Sequence, residues 1–293
     1  MKKRVFHYLM VSVASMAMLS ACEKMNLSEK TASSKPANVV VRVTQFEQKA
    51  LDARTRAEVT DFCNHLCFHV YGDDGIRVDY VNQKQEDDNF GSAAFSLDEG
   101  HYYLIVVGHS GSSNPSFSAD ERVSISGKQM GDTFWCCEEL QVGAEGIEKS
   151  LVLKRIVSMV RFIPTDAQPE TMNQMVITYT GSRGTFNGLT GYGSTRAKQT
   201  IDLDTSADDS EFSFYMIPSD YDDQISVTVK TFNNDVSGRI TPLTAKEIPD
   251  IPVRRNCVTI CRGNLFDNQS SSKSVFITVS IDGEWNDDIN LSF

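Results

Sequence analysis

The chain of 293 residues carries 28 Lys and Arg against 39 Asp and Glu, a formal charge of −11 at pH 7. That balance excludes a surface built for nucleic acid or an anionic bilayer, because phosphate binding needs clustered Lys and Arg. The length allows a sizeable core in one or two domains.

The chain opens on MKKRVFHYLMVSVASMAMLSACEK, with Lys2, Lys3 and Arg4 ahead of an apolar run. That run, about 14 residues from Tyr8, falls short of the roughly 20 that span a bilayer. A basic start, a short apolar core and small residues before a break describe a secretory signal. Leu19-Ser20-Ala21-Cys22 is similar to a bacterial lipobox, which predicts cleavage between Ala21 and Cys22 and acylation of the Cys22 sulfur by diacylglycerol and palmitate-type chains. Residues 1–21 hold three basic and no acidic side chains, so the mature chain would carry 25 − 39 = −14.

Residues 22–37, CEKMNLSEKTASSKPA, are polar and aperiodic and read as a flexible tether. Short strands divided by turn clusters follow. NVVVRVTQF (38–46) is the first, and AEVTDFCNHL suggests a helical turn. HLCFHVY places Leu66, Phe68 and Val70 on one face, with a mixed outer face opposite. HYYLIVVGH is apolar on both faces, as a central sandwich strand can be. GHSGSSNPS and SISGKQMGD read as loops. In SLVLKRIVSMVRFIP the apolar positions change phase around Lys154-Arg155, from Leu151 and Leu153 to Ile156, Val160 and Phe162. Such a shift marks a bulge or a change of sheet. Beyond it, Ile225, Val227 and Val229 alternate with Ser226, Thr228 and Lys230, and Val275 to Ile281 repeat the pattern. The expected fold is all-β, with one sandwich over 38–150 and a second over 151–293.

A search for chemistry finds no HExxH, GxSxG, P-loop or GxGxxG, and Ser110 in GHSGS reads as a loop serine. CNHLCFHV sets Cys63, His65, Cys67 and His69 at alternate positions. On a strand they would spread over roughly 20 Å, too far to surround one zinc ion. DLDTSADDSE offers Asp202, Asp204, Ser206 and Asp208, without the glycine and bidentate glutamate of an EF-hand, and reads as an acidic loop. The acidic runs near Glu86 and Asp222 read as turns, and Trp135 and Trp285 as core rather than sugar-binding aromatics. Cys63, Cys67, Cys136, Cys137, Cys257 and Cys261 read as small buried hydrophobes. No enzyme, cofactor or metal is expected.

Taken in order, the lipobox, NVVVRVTQF, LCFHVYGDDG, LDEGHYYLIVVGH, LVLKRIVSMVRF, FYMIPS, IPVRRNCVTICRGNLF and ITVSIDGEW resemble the fimbrillin superfamily. The resemblance is to FimB-like minor fimbrial subunits, the anchor or accessory lipoproteins of Gram-negative anaerobes. It implies two tandem transthyretin-like β-sandwiches, a lipid anchor at Cys22 in the outer membrane, a place in a fimbria, and cell adhesion. The implied partners are other fimbrial subunits, joined by donated β-strands. In shaft-type members an arginine-specific protease removes the first strand; Arg54 and Arg56 are the positions where it could cut here. An anchor is expected to begin at acylated Cys22 and keep residues 38–46 in its own sheet. The alternatives are a polymerising shaft or tip subunit processed near Arg56, and a surface lipoprotein that binds glycans or host molecules.

Overall fold

The computed structural model describes residues 36–46, 49–50, 57–126, 130–182, 184–206, 209–267 and 276–280. Ala21, Cys22, Arg54, Arg56, Asp208 and Trp285 lie outside them. Among the described residues the chain is all-β, as the alternation predicts, apart from one helical turn, α1 (Ala57–Thr60), where the sequence suggested it. The strands form two sandwiches in tandem.

The first sandwich is built from β1 (Val39–Phe46), β3 (His65–Gly72), β4 (Arg77–Lys84), β5 (Ser92–Phe95), β6 (Gly100–His109), β9 (Thr133–Val142) and β10 (Ile147–Arg155), with the short β2 (Lys49–Ala50) beside β1. Its strands hydrogen-bond in the order β2-β1-β10-β9-β6-β3-β4, with β5 also on β1. β9 and β10 pair only at Lys154↔Trp135 and Arg155↔Phe134, so the ribbon folds there into two layers. Between the layers lie Val39, Val41 and Val43 of β1, Leu66, Phe68 and Val70 of β3, and Leu151 and Leu153 of β10. The β3–β4 turn needs Gly75, whose φ of 72° suits a residue without a Cβ.

At Arg155 the chain leaves this sheet, and at Ser158 it enters another. The phase change read at Lys154-Arg155 is this change of partner. The second sandwich packs β11 (Ser158–Pro164), β15 (Phe212–Met216), β18 (Val258–Gly263) and β19 (Phe276–Ser280) as one sheet, order β15-β11-β18-β19. The facing sheet holds β12 (Gln174–Gly181), β14 (Ala197–Asp204), β16 (Asp223–Asn234) and β17 (Ile240–Val253), order β14-β12-β16-β17. Its core draws on Val160 and Phe162, Met175 to Tyr179, Ile225 to Val229 and Phe212 to Met216. Edge strand β17 carries Pro242, Pro249 and Pro252, which withhold ladder donors and discourage further pairing.

The two sandwiches repeat one topology. β1 runs parallel to β10 and antiparallel to β5; β11 runs parallel to β18 and antiparallel to β15. The facing orders β9-β6-β3-β4 and β17-β16-β12-β14 correspond strand for strand.

One sequence expectation fails beside two strands that the sequence did not suggest. Between the stretches read as loops, 108–116 and 124–132, the chain forms β7 (Ser116–Ala119) and β8 (Arg122–Ser124), with β8 pairing on to β13 (Thr185–Phe186). This small sheet covers the face of β3 expected to be outer. His69 stacks on Phe117 with ring centroids 3.6 Å apart, and Tyr71, Ile105, Val107, Val123, Phe186 and Ile217 form a further core shared by both halves of the chain. Cys63 does not share that face: it precedes β3 and packs in the first core with Leu66. The acidic stretch is also partly strand, since Asp202 and Asp204 lie on the exposed face of β14.

Candidate functional site

Sequence reading singled out the first strand, and the structure shows how it is held. β1 begins with a clasp: Asn38 donates from Nδ2 to the Leu97 carbonyl (2.8 Å), and its Oδ1 accepts from the Leu97 amide (3.0 Å). The Asn38 amide donates to Phe95 O, and its carbonyl accepts from Ile147. The chain approaches so closely here that a Cβ on Gly146 would lie 2.9 Å from Asn38 O. From this clasp β1 follows β10 in parallel, from Val39↔Ile147 to Phe46↔Leu153, with a register shift between Val43 and Gln45. Thr44, at the shift, turns its hydroxyl to the Leu151 carbonyl at 3.3 Å.

Alternation then does the packing. Val39, Val41, Val43 and Phe46 point inward and are buried, whereas Arg42 is exposed and lies 3.4 Å from Glu148. Burying each such apolar side chain contributes about 1.5–3 kcal/mol before chain entropy is subtracted. Phe46 ends the strand in an aromatic cluster, stacked on Phe62 (centroids 4.6 Å) and edge-on to Phe134 (4.8 Å).

The walls of this slot have supports of their own. The loop before β5 is tied to β4 by buried Gln83, whose amide donates to Ser92 O (2.7 Å) and Asn89 O (3.1 Å) and accepts from Gly91 N. β10 ends in Arg155, a buried cation held on three sides. It donates from Nε and a terminal nitrogen to Asp132 (both 2.8 Å) and from the other to Asn256 Oδ1 (3.0 Å), and it lies over the Phe134 ring. Without β1, both walls would present unpaired main-chain edges around a row of empty apolar positions. An extended segment with alternating side chains is the chemistry that fits such a slot.

The other expected sites come apart in the structure. Among the described residues no group of three or more His, Cys, Asp or Glu is placed to hold a metal. Among the described residues the six cysteines are thiols outside any disulfide, five buried and Cys137 half-buried. Burial raises the pKa of Cys63, Cys67, Cys136, Cys137 and Cys261, which keeps them protonated and unreactive. Ser110 donates to Asp132 O as an ordinary loop hydroxyl. Trp135 is half-buried: its Nε1 donates to Gly188 O at 2.6 Å, and a Cβ on Gly191 would lie 2.8 Å from its ring. Sequence reasoning missed the Asn38 clasp and the Arg155 clamp. Asn before a β-branched run was the available signal for the first; the second joins residues 101 positions apart and had none.

Comparison with solved structures finds the same architecture. A candidate adhesin from Bacteroides thetaiotaomicron matches with a TM-score of 0.50 at 11% identity, over 86% of this chain and 98% of that one. The fimbrial anchor protein Mfa2 from Porphyromonas gingivalis matches at 0.45 and 12% identity, over 86% and 98%. The tip fimbrial protein Mfa3 from the same organism, with a C-terminal truncation, gives 0.39 and 10%, over 83% and 97%. The match at 0.50 shows a fold shared with the candidate adhesin. No curated protein matches the chain. A family model described as a family of unknown function (DUF6562) matches residues 116–292, more than half of the chain, and the chain belongs to that family.

Proposed function

We propose that the protein is an outer-membrane lipoprotein subunit of a fimbria, in an anchoring or accessory role, joined to its neighbours by donated β-strands. In this reading residues 1–21 are a signal peptide, Cys22 carries the lipid and residues 22–37 are a tether. The two sandwiches, divided in the chain between β10 and β11 a few residues beyond position 150, form a surface-exposed body whose role is structural rather than catalytic. A single acyl chain gives only marginal membrane binding, whereas several chains anchor stably, so a triacylated Cys22 suits a subunit that carries load. The separate first and second cores support a two-domain body, with Leu151 and Leu153 in the first core and Val160 opening the second. The shared fold with a candidate adhesin supports a surface role.

One observation carries the reading. β1, the first described strand, fills the middle of its sheet, and it is joined to the rest of the body only through its C-terminal end. A cut in the segment holding Arg54 and Arg56 would separate β1, and the lipid with it, from both sandwiches. An anchor must therefore keep that segment whole, and a shaft or tip subunit would lose it. Electron microscopy of cells lacking the protein tests the role. Fibres shed into the medium are the expected result; fibres that stay attached at normal length and number would overturn it.

A further inference from the structure

The repeat of topology exposes a place where the second sandwich departs from the first. In the first, β3 and β6 pair without interruption from His65↔His109 to Gly72↔Tyr102. In the second, the equivalent strands β12 and β16 pair from Gln174↔Phe232 only as far as Tyr179↔Val227. Continuing that register would set Thr180 opposite Ser226 and Gly181 opposite Ile225, and neither pair forms. Each strand keeps its outer neighbour: Thr180 and Gly181 still pair with Lys198 and Ala197, and Ile225 with Ile251. Two features meet at this point: β16 bulges at Ser226, between Ile225↔Ile251 and Val227↔Ile248, and β12 is turned aside one residue on. Ser182 bridges to Ile217, whose amide donates to Ser182 O at 3.1 Å, and this draws the end of β12 toward the opposite layer.

The missing rungs leave a cleft of about 310 Å³, lined by Thr180, Gly181, Ile225 and Ser226 together with Arg196, Ser219, Asp223 and Gln224. That volume is at the lower end of the roughly 300–1,000 Å³ range of small-ligand sites. Asp223 is fixed in place, its two carboxylate oxygens accepting the Ser219 amide (2.8 Å) and the Gln224 amide (2.9 Å). Arg196 is exposed, and among the described residues its guanidinium has no ion-pair or hydrogen-bond partner.

We propose that this cleft binds an acidic saccharide unit, with Arg196 taking the sugar carboxylate and the two open strand ends taking the ring hydroxyls. The chemistry of the lining selects that class. Thr180, Ser219, Gln224 and Ser226 each both donate and accept, as sugar hydroxyls do. The planar guanidinium fits a carboxylate in two parallel hydrogen bonds. A peptide strand would need apolar pockets for alternate side chains, and Ile225 is the only large apolar residue of the lining. This site is separate from the β1 slot and stands or falls apart from the anchoring role.

Titration of the full mature chain with glucuronate, with glucose and with acetyl-alanyl-alanine, followed by amide shifts in NMR spectra, tests it. Glucuronate should move the amides of Thr180, Gly181, Ile225 and Ser226 and bind about ten-fold more tightly than glucose. Arg196→Gln, a surface change, should abolish that preference, and Ser226→Ala should weaken both sugars while preserving it. Silence of these amides at tens of millimolar sugar would overturn the proposal. So would equal binding of glucose and glucuronate, or a preference that survives Arg196→Gln. Tighter binding of the peptide carboxylate would mark the cleft as a site for a chain terminus instead.

Discussion

β1 and β11 occupy the same position in two copies of one sandwich, and the chain secures them by different means. Each runs parallel to a late strand of its sandwich and antiparallel to a middle one. β11 is covalently continuous with β10, and its entry is fixed by the Arg155 clamp and by bonds from Ile156 to Thr133 O and from Asn256 to Val157 O. β1 is held by the Asn38 clasp, its ladder and its apolar face, and it is the first strand among the described residues. One cut would free β1, whereas β11 cannot leave without tearing the junction. In the proposed role, strand exchange would fall to the first sandwich, with the second as the fixed part of the body.

The largest effect that sharpens this contrast is expected from Phe46→Ala, at about 3–5 kcal/mol, the usual loss for a buried Phe. Hydrogen exchange should show the loss in β10 and β5, with β11 and β18 retaining protection. Equal loss in both sandwiches would mean that the shared core around Tyr71 and Ile217 makes them a single cooperative unit.

Arg155→Met should cost about 3 kcal/mol in urea unfolding, because it strands Asp132 beside a dry junction. Asp132 keeps partial exposure, which places the effect at the low end for a broken buried pair. Here the loss of protection should be greatest at β11 and Asn256, with a smaller loss at the Phe46 end of β1, which packs on Phe134 beneath the Arg155 guanidinium.

Acid should weaken the first sandwich before the second. Burial, with the neighbouring His65 charge, lowers the His109 pKa from 6.5 to about 4, and desolvation lowers His65 as well. Between those values the unfolded chain binds the proton and the folded chain does not. Stability is therefore complete above pH 6.5 and falls as pH drops toward 4, by about 3 kcal/mol for His109. His109→Gln should flatten that part of the stability-against-pH curve. The smallest effect is expected at the tip of the β16–β17 hairpin, where Val236 is fully exposed: Val236→Ser should stay within about 0.5 kcal/mol of the parent.

The sequence revealed what local pattern encodes. Alternation from Ile225 to Lys230 gave β16, continuous apolarity gave β6, and the phase change at Lys154-Arg155 gave the crossing between sheets. Hidden from it was everything decided by distant partners. β7 and β8 lie in Ser-rich sequence and hold together by pairing with β13, more than sixty residues away in chain. They in turn bury His69 and Cys67, which alternation alone places on an outer face. The β1 slot was half legible: its inward valines could be read, but the parallel register with β10 could not. The open rungs between β12 and β16 accompany a bulge at Ser226 and a bridge at Ser182, and they leave no mark in residue pattern.

The contrast between the two strands comes down to whether β1 is still covalently attached to the body at the cell surface. Mass spectrometry of the N-terminus of the protein taken from isolated fimbriae measures this directly. An N-terminal peptide beginning at acylated Cys22 and continuing unbroken through residues 38–46 and Arg56 is the predicted result. A start at Thr55 or Ala57, with no acylated peptide attached, would contradict the anchoring account and make the vacated β1 slot an acceptor in a polymerising shaft or tip subunit.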